Sequence, residues 1–175
     1  MKNIRKMGII VGVFFLIALF SDIISISITN PGWIMILDVI SGIAIMGVGI
    51  SVFFVLKPYN KILAASYAGI RIVEGLIFFM MVLLFVSKST AIIDFIYVYI
   101  FVIGALILYY SLYQSRLVPR WISVWGIIAI FILGVLNSLG MLGSESTLTL
   151  VLASPIALNE LVLAMWLIVK GFNKT

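Results

Sequence analysis

Ile62–Val86, ILAASYAGIRIVEGLIFFMMVLLFV, is an apolar run of membrane-spanning length with an arginine and a glutamate, Arg71 and Glu74, at its centre. A helix needs ~20 predominantly apolar residues to cross a bilayer core. An arginine at the middle of such a helix costs roughly 2.5–3.5 kcal/mol on the insertion scale, against roughly −0.3 to −0.6 kcal/mol for each Leu, Ile, Phe or Val. The helix therefore inserts with little margin, and its polar face has to turn towards other helices. Ionisable groups at that depth mark a site by default.

Working outward, five more apolar segments of similar length stand at 7–29, 32–56, 92–114, 121–143 and 148–171. Short polar breaks separate them, and Pro31, Pro58 and Pro119 stand where a helix should start or stop. The whole chain of 175 residues is 65% hydrophobic and 10% charged, with a mean hydropathy of +1.35. Soluble domains are typically ~45–50% apolar and ~25% charged. The pattern predicts an all-α fold, an integral membrane bundle of six transmembrane helices forming one domain over residues 1–175. The basic stretch Met1–Lys6 leads into an apolar run too long for a signal-peptide core, so it is read as a retained first helix.

The basic residues set the expected threading. Lys2, Arg5, Lys6, Lys57, Lys61, Arg116, Arg120, Lys170 and Lys174 fall on one side, and Lys88 alone on the other. By the positive-inside rule both termini are expected to be cytoplasmic. Trp121, Trp125, Trp166, Tyr109, Tyr110 and Tyr113 are expected near that interface, and Trp33, Tyr97 and Tyr99 near the outer one. The net charge of +5 then lies mostly beside anionic lipid. No basic run interleaved with aromatics speaks for nucleic acid.

Cysteine and histidine are both absent. Thiol nucleophiles, disulfides, Ser-His catalysis and His-ligated metal or haem sites are therefore excluded within this chain. No cofactor, metal or catalytic residue is expected.

At membrane depth the threading places Arg71, Glu74 and Glu160 near the midplane. Asp22, Asp38 and Asn137 come about 10 Å below the outer surface at 1.5 Å rise per residue. Asn159 adjoins Glu160, and Asp94 falls close to the outer end of the fourth helix. Tyr67, Arg71 and Glu74 share one helix face through their spacings of four and three. Asp38, Ser41, Gly42 and Gly49 form a small, polar stripe on the second helix, and Asp22 and Ser25 pair on the first. Four acids, Asp22, Asp38, Glu74 and Glu160, face one base, which leaves surplus acids to be neutralised by a proton or a cationic partner. Pro155 frees a carbonyl one turn earlier, so a kink lining a cavity is expected near Asn159. Gly8 and Gly12 form a GxxxG pair, a weak pointer to a dimer. A short similarity, Ala65-Ser66 before Arg71 and Ala153-Ser154 before Asn159, suggests an inverted repeat of three helices.

Three stretches carry a resemblance: Arg71-Ile72-Val73-Glu74; Ser115-Arg116-Leu117-Val118-Pro119-Arg120-Trp121 with Trp125-Gly126; and Pro155-Ile156-Ala157-Leu158-Asn159-Glu160 running to Trp166-Leu167-Ile168-Val169-Lys170-Gly171-Phe172. From about residue 33 onward the chain resembles the bacterial membrane proteins of domain-of-unknown-function family 4386. The first outer loop is shorter here than is usual for that family. The resemblance implies a multi-helix protein of the bacterial cytoplasmic membrane and lends no substrate.

Three functions are open to these residues. The first is a small transporter or ligand-binding membrane protein, taking a small molecule or a proton. Its site would be built from Arg71, Glu74, Asn159 and Glu160 and reached past Asp22 and Asp38, with Asn137 and Tyr67 contributing. The second is a non-catalytic partner or protective protein, in which an Arg71–Glu74 pair braces the third helix against the sixth. The third, an intramembrane enzyme using Glu74 and Glu160, ranks last because no paired-carboxylate motif is present.

Overall fold

The computed structural model describes residues 2–83, 91–140 and 147–173. It contains six helices: α1 (Lys2–Ser27), α2 (Pro31–Leu56), α3 (Lys61–Leu83), α4 (Ala91–Ser115), α5 (Arg120–Ser138) and α6 (Thr147–Val169). No strand occurs among the described residues. Helices α1 to α5 each contain a stretch long and apolar enough to cross a membrane; the shorter apolar stretch Ser154–Val169 lies in α6. The breaks expected at 87–90 and 143–146, with Lys88 and Glu145, lie outside the described residues, as do Lys174 and the side chain of Asp94.

Local chemistry sets the helix ends. The Asn30 Oδ1 accepts from the backbone N–H groups of Gly32 and Trp33 at 3.0 and 3.3 Å, with Pro31 at the first helical position of α2. The Asn60 Oδ1 accepts from the Leu63 N–H at 3.0 Å and caps α3 in the same way. Gly140 (φ +66°) and Gly171 (φ +75°) follow α5 and α6 in the left-handed conformation that glycine adopts most readily. Gly140 follows α5 closely, so that helix ends at Ser138 rather than residue 143 and Asn137 falls in its last turn. At the other extreme α1 begins at Lys2 rather than residue 7, so the exposed Arg5 and Lys6 ride on the helix itself.

Each helix packs against its neighbours in sequence, and α6 returns to α1 to close a ring. Small residues make the close approaches. A Cβ on Gly12 would stand 2.7 Å from the Ala164 carbonyl oxygen, and one on Gly8 2.9 Å from the Gly171 Cα. The GxxxG pair is thus used within the chain, to join α1 to α6. Gly42 and Gly75 do the same for α2 and α3, where a Cβ on Gly75 would be 2.8 Å from the Gly42 carbonyl oxygen. The contact of Gly8 with Gly171 also puts both termini at one end of the bundle.

The two ends of the ring differ. At the terminal end Leu56, Ala64, Leu112, Leu117, Ile122 and Leu167 belong to one closely buried apolar cluster. Leu117 and Val118 come from the α4–α5 loop, which turns inward at Arg116 (φ +54°). The Asn173 N–H and Nδ2 hold that loop by donating to the carbonyls of Leu117 and Arg116 at 2.7 and 3.1 Å. At the opposite end the buried residues include Ser21, Ser25, Asp38, Ser41 and Asn137. Large apolar residues such as Ile43, Phe54, Leu76 and Phe131 face outward all around the bundle, as a lipid-facing surface requires.

Because α1 and α6 meet backbone to backbone at Gly12, Gly12→Leu is expected to lower stability in detergent by roughly 1–3 kcal/mol through overpacking. Gly69→Ala, whose Cβ would meet nothing within 4 Å, is expected to leave the melting temperature unchanged or slightly raised. Equal losses in the two variants would contradict the closed ring.

Candidate functional site

The site is built around Arg71. Its helix carries Tyr67 one turn before it and Glu74 one turn after, and all three are buried. The Arg71 Nη1 donates to the Glu74 Oε2 at 2.7 Å, and the Nε donates to the Tyr67 hydroxyl at 3.0 Å. The guanidinium carbon lies 5.3 Å from the centre of the Tyr67 ring and 5.4 Å from that of Phe101, positions where the ring quadrupoles attract a cation. The second carboxylate oxygen, Glu74 Oε1, accepts a longer hydrogen bond of 3.5 Å from the Tyr97 hydroxyl on α4. Tyr97 is steadied by an edge-to-face contact with Phe78, ring centres 5.4 Å apart.

Two glycines make room for the arginine. A Cβ on Gly49 of α2 would fall 2.6 Å from the Arg71 Cβ. One on Gly104 of α4 would fall 3.0 Å from the Ile70 Cγ2 and 4.0 Å from the Arg71 Nε. The glycine of the α2 stripe therefore serves the arginine on the facing helix.

Other acids approach this group from across the ring. Glu160, on α6, is partly buried and within Coulombic range of Arg71, Glu74 and Asp22. Tyr97 is in range of Asp22, Glu74, Arg71 and Glu160, and the fully buried Tyr109 in range of Glu160, Tyr67 and Arg71. Glu160 of α6 and the phenols of α4 thus lie within electrostatic reach of Arg71, and Asp22 of α1 within reach of Glu160 and Tyr97. The Arg71 Nη2 is buried with no hydrogen-bond partner among the described residues. A guanidinium with one edge on a carboxylate and a free donor on the other can take a second anionic group, such as a ligand carboxylate or phosphate.

The remaining expected residues have other partners. Asp38 is buried, and its Oδ1 accepts from the Ser25 hydroxyl at 2.8 Å, so it ties α2 to α1. The Asn159 Nδ2 donates to the Ile122 carbonyl at 3.0 Å and ties α6 to α5, while its Oδ1 has no hydrogen-bond partner among the described residues. Asn137 is buried in the last turn of α5.

Several expectations change. The Arg71–Glu74 pair lies within α3, and its further contacts go to Tyr97 and Phe101 of α4, so it braces α3 against α4 rather than against the sixth helix. At Pro155 the Ser154 hydroxyl donates to the Val151 carbonyl at 2.8 Å, taking up the acceptor that the proline frees one turn earlier, and Ser154 and Val151 are both exposed. Tyr109 is not an interfacial tyrosine. Its ring lies over Gly126, where an added Cβ would come within 2.5 Å, and its hydroxyl points into the interior. Tyr97 likewise reaches inward to Glu74. The spacing Tyr97, Phe101, Gly104 on one face of α4 was the available signal for these partners.

Neither of two cavities formed by described residues includes the group. One, of about 190 Å³, is lined by Leu56, Tyr59, Asn60, Leu63, Ser111 and neighbouring polar residues at the terminal end. The other, of about 420 Å³, is a groove between α3 and α4 over Gly69, Ile70, Val73 and Ile103.

The model of the family described as "Domain of unknown function (DUF4386)" matches residues 80–171. The chain belongs to this family. The match starts near the end of α3 and covers α4 to α6, so it includes Tyr97, Phe101, Tyr109, Asn159 and Glu160 and leaves out Tyr67, Arg71 and Glu74. It is narrower than the resemblance from residue 33 onward. No curated protein and no solved structure matches the chain.

Because Arg71 and Glu74 are buried and neutralise each other, removing one strands the other. Arg71→Ala is expected to cost roughly 3–5 kcal/mol of stability, and the double change Arg71→Met, Glu74→Leu distinctly less. Reversible unfolding in mixed micelles checks this; a double variant as unstable as Arg71→Ala would show that the pair is not what the single change breaks.

Proposed function

We propose that this protein is a small ligand-binding membrane protein of the transporter kind, resident in the bacterial cytoplasmic membrane with both termini in the cytoplasm. The observation that carries the reading is a buried arginine, paired with Glu74 and within electrostatic reach of Glu160, whose Nη2 donor has no hydrogen-bond partner among the described residues. In this reading Arg71 holds an anionic group of a small molecule through its Nη2. Glu160, or Glu74 once the ligand has taken its place on Arg71, carries a proton. Asp22 and the Ser25–Asp38 seam form the approach from the outer face, where the buried surface is polar. The apolar cluster at the terminal end, with Leu117 and Val118 beneath it, closes the other side. Surrounding lipid is the expected environment, and neither nucleic acid nor a cofactor enters the scheme.

A second reading draws on a specific observation. Arg71 already has a carboxylate, a phenol and two aromatic faces as partners inside the chain. A non-catalytic partner or protective protein would need the pair only as a brace, and would act through its lipid-facing surface.

Thermal-shift measurements on the purified chain against a library of anionic metabolites and lipids separate the two. In the first reading a ligand at a hundred times its dissociation constant stabilises the wild type by about 2.7 kcal/mol, and Glu160→Gln, though folded, loses that response. A Glu160→Gln variant that responds like the wild type would remove Glu160 from the site.

A further inference from the structure

The two cavities lie on one seam between α3 and α4. The smaller takes Leu63 from the start of α3 and Ser111, Gln114 and Ser115 from the end of α4. The larger takes Ser66, Gly69, Ile70 and Val73 from further along α3, and Ile100 and Ile103 from further back along α4. The helices are therefore antiparallel here, and they meet closely at Gly104, where an added Cβ would stand 3.0 Å from the Ile70 Cγ2. Positions 63, 66, 70 and 73 follow one another by three or four, as do 100, 103, 107, 111 and 114, so each set shares one helix face. A polar cavity at the terminal end is thus continued by an apolar groove at membrane depth. Leu63 to Val73 is ~15 Å of helix at 1.5 Å rise per residue, about half of a ~30 Å hydrocarbon core. The seam covers the depth of one lipid leaflet.

The two parts differ in chemistry. In the groove an added Cβ on Gly69 would meet nothing within 4 Å, and Val73 and Ile103 beside it are exposed, so it opens sideways to lipid. A hydrocarbon chain gains no hydrophobic energy on moving there from lipid, and only van der Waals contact with the open backbone at Gly69 holds it. Selection has to come from the polar cavity. The Ser111 and Ser115 hydroxyls there donate to the carbonyls of Ile107 and Ser111 at 2.6 and 2.7 Å, which leaves their oxygens as acceptors for a donor on an occupant. The amide groups of Asn60 and Gln114 can donate to an anionic oxygen. Lys57, Lys61 and Arg116 are exposed and directly follow the lining residues Leu56, Asn60 and Ser115. The stretches 51–66 and 107–123, which build this end of the seam, contain Lys57, Lys61, Arg116 and Arg120 and no acid. That field attracts a phosphate and disfavours a headgroup that carries an ammonium.

We propose that the α3–α4 seam binds one anionic phospholipid from the leaflet on the side of the termini. Its phosphate lies beside Lys57, Lys61 and Arg116, a headgroup hydroxyl donates to Ser111 or Ser115, and one acyl chain runs along the groove over Gly69. Phosphatidylglycerol, with a phosphate, free hydroxyls and no ammonium, has that chemistry. The bound lipid straps α3 to α4 from outside the ring. Neither cavity includes Arg71 or Glu160, so the site does not depend on the ligand-binding reading.

The test titrates the full chain, purified in an uncharged detergent, with phosphatidylglycerol, with phosphatidylcholine of the same chains, and with glycerol 1-phosphate, and follows the melting temperature. Phosphatidylglycerol should raise it saturably, at concentrations where the other two do not. Lys57→Gln and Lys61→Gln should each weaken the apparent affinity about fivefold, the usual contribution of one basic residue beside anionic lipid. Gly69→Phe, whose ring would fill the groove, should weaken it several-fold while melting like the wild type without lipid, and Gly69→Leu decides if the larger side chain does not fold. Glu160→Gln should keep the full response, which separates this site from any ligand held at Arg71. No shift with phosphatidylglycerol, or an equal one with phosphatidylcholine, overturns the proposal, the latter by showing an unselective lipid shell. An equal shift with glycerol 1-phosphate, or an unchanged affinity in a folded Gly69 variant, also overturns it, because the occupant would then be an anion that does not use the groove. Loss of the response in Glu160→Gln would move the lipid to the Arg71 group and contradict a separate site.

Discussion

The guanidinium of Arg71 is the constraint on which the rest of the structure depends. A full positive charge at the middle of a membrane-length helix has no water to solvate it, and the structure replaces water piece by piece. Glu74 supplies the counter-charge, Tyr67 an oxygen, Phe101 and Tyr67 their ring faces, and Gly49 and Gly104 the space for the stem. These contributions come from α2, α3 and α4, so solvating one side chain also fixes how three helices approach. The arrangement leaves Nη2 without a partner. A brace alone has no need of a free donor, and that donor is the reason for reading the group as a binding site.

Ring closure gives the buried charges a common interior. An open row of helices would have turned some of these acids towards lipid, where each would cost several kilocalories. With α6 returned to α1 through Gly8 and Gly12, Glu160 comes within electrostatic reach of both the α3 pair and Asp22. The packing is also polarised. Apolar side chains and an inward-turned loop close the end that carries the termini, and serines and carboxylates lie buried at the other. The ligand-binding reading places Arg71 between the two regions.

Much of this was legible in the sequence, and the physical reasons are uneven. Helix number and the face shared by Tyr67, Arg71 and Glu74 follow from the length of the apolar runs and a period of 3.6, which few tertiary forces can override in a bilayer. The end of α5 was harder, because residues after Ser138 remain apolar and only the left-handed Gly140 stops the helix. Interfacial tyrosines were assigned by depth alone. Adjacent residues point about 100° apart on a helix, and depth could not distinguish Tyr110, which is 52% exposed, from Tyr109, which is fully buried. Pro155 signalled a free carbonyl, but Ser154 beside it supplies the missing donor. Depth alone grouped Glu160 with Arg71; whether the two come within reach of each other depends on which helices are neighbours around the ring.

The approach of Glu160 to Arg71 is the central claim, and a double-mutant cycle between Arg71 and Glu160 tests it most directly. The stabilities of the wild type, Arg71→Met, Glu160→Gln and the double variant are measured by reversible unfolding in one micelle composition. Groups within electrostatic reach in the bundle interior should show a coupling energy of roughly 0.5–3 kcal/mol. Strict additivity would place Glu160 outside the field of Arg71 and contradict a shared site.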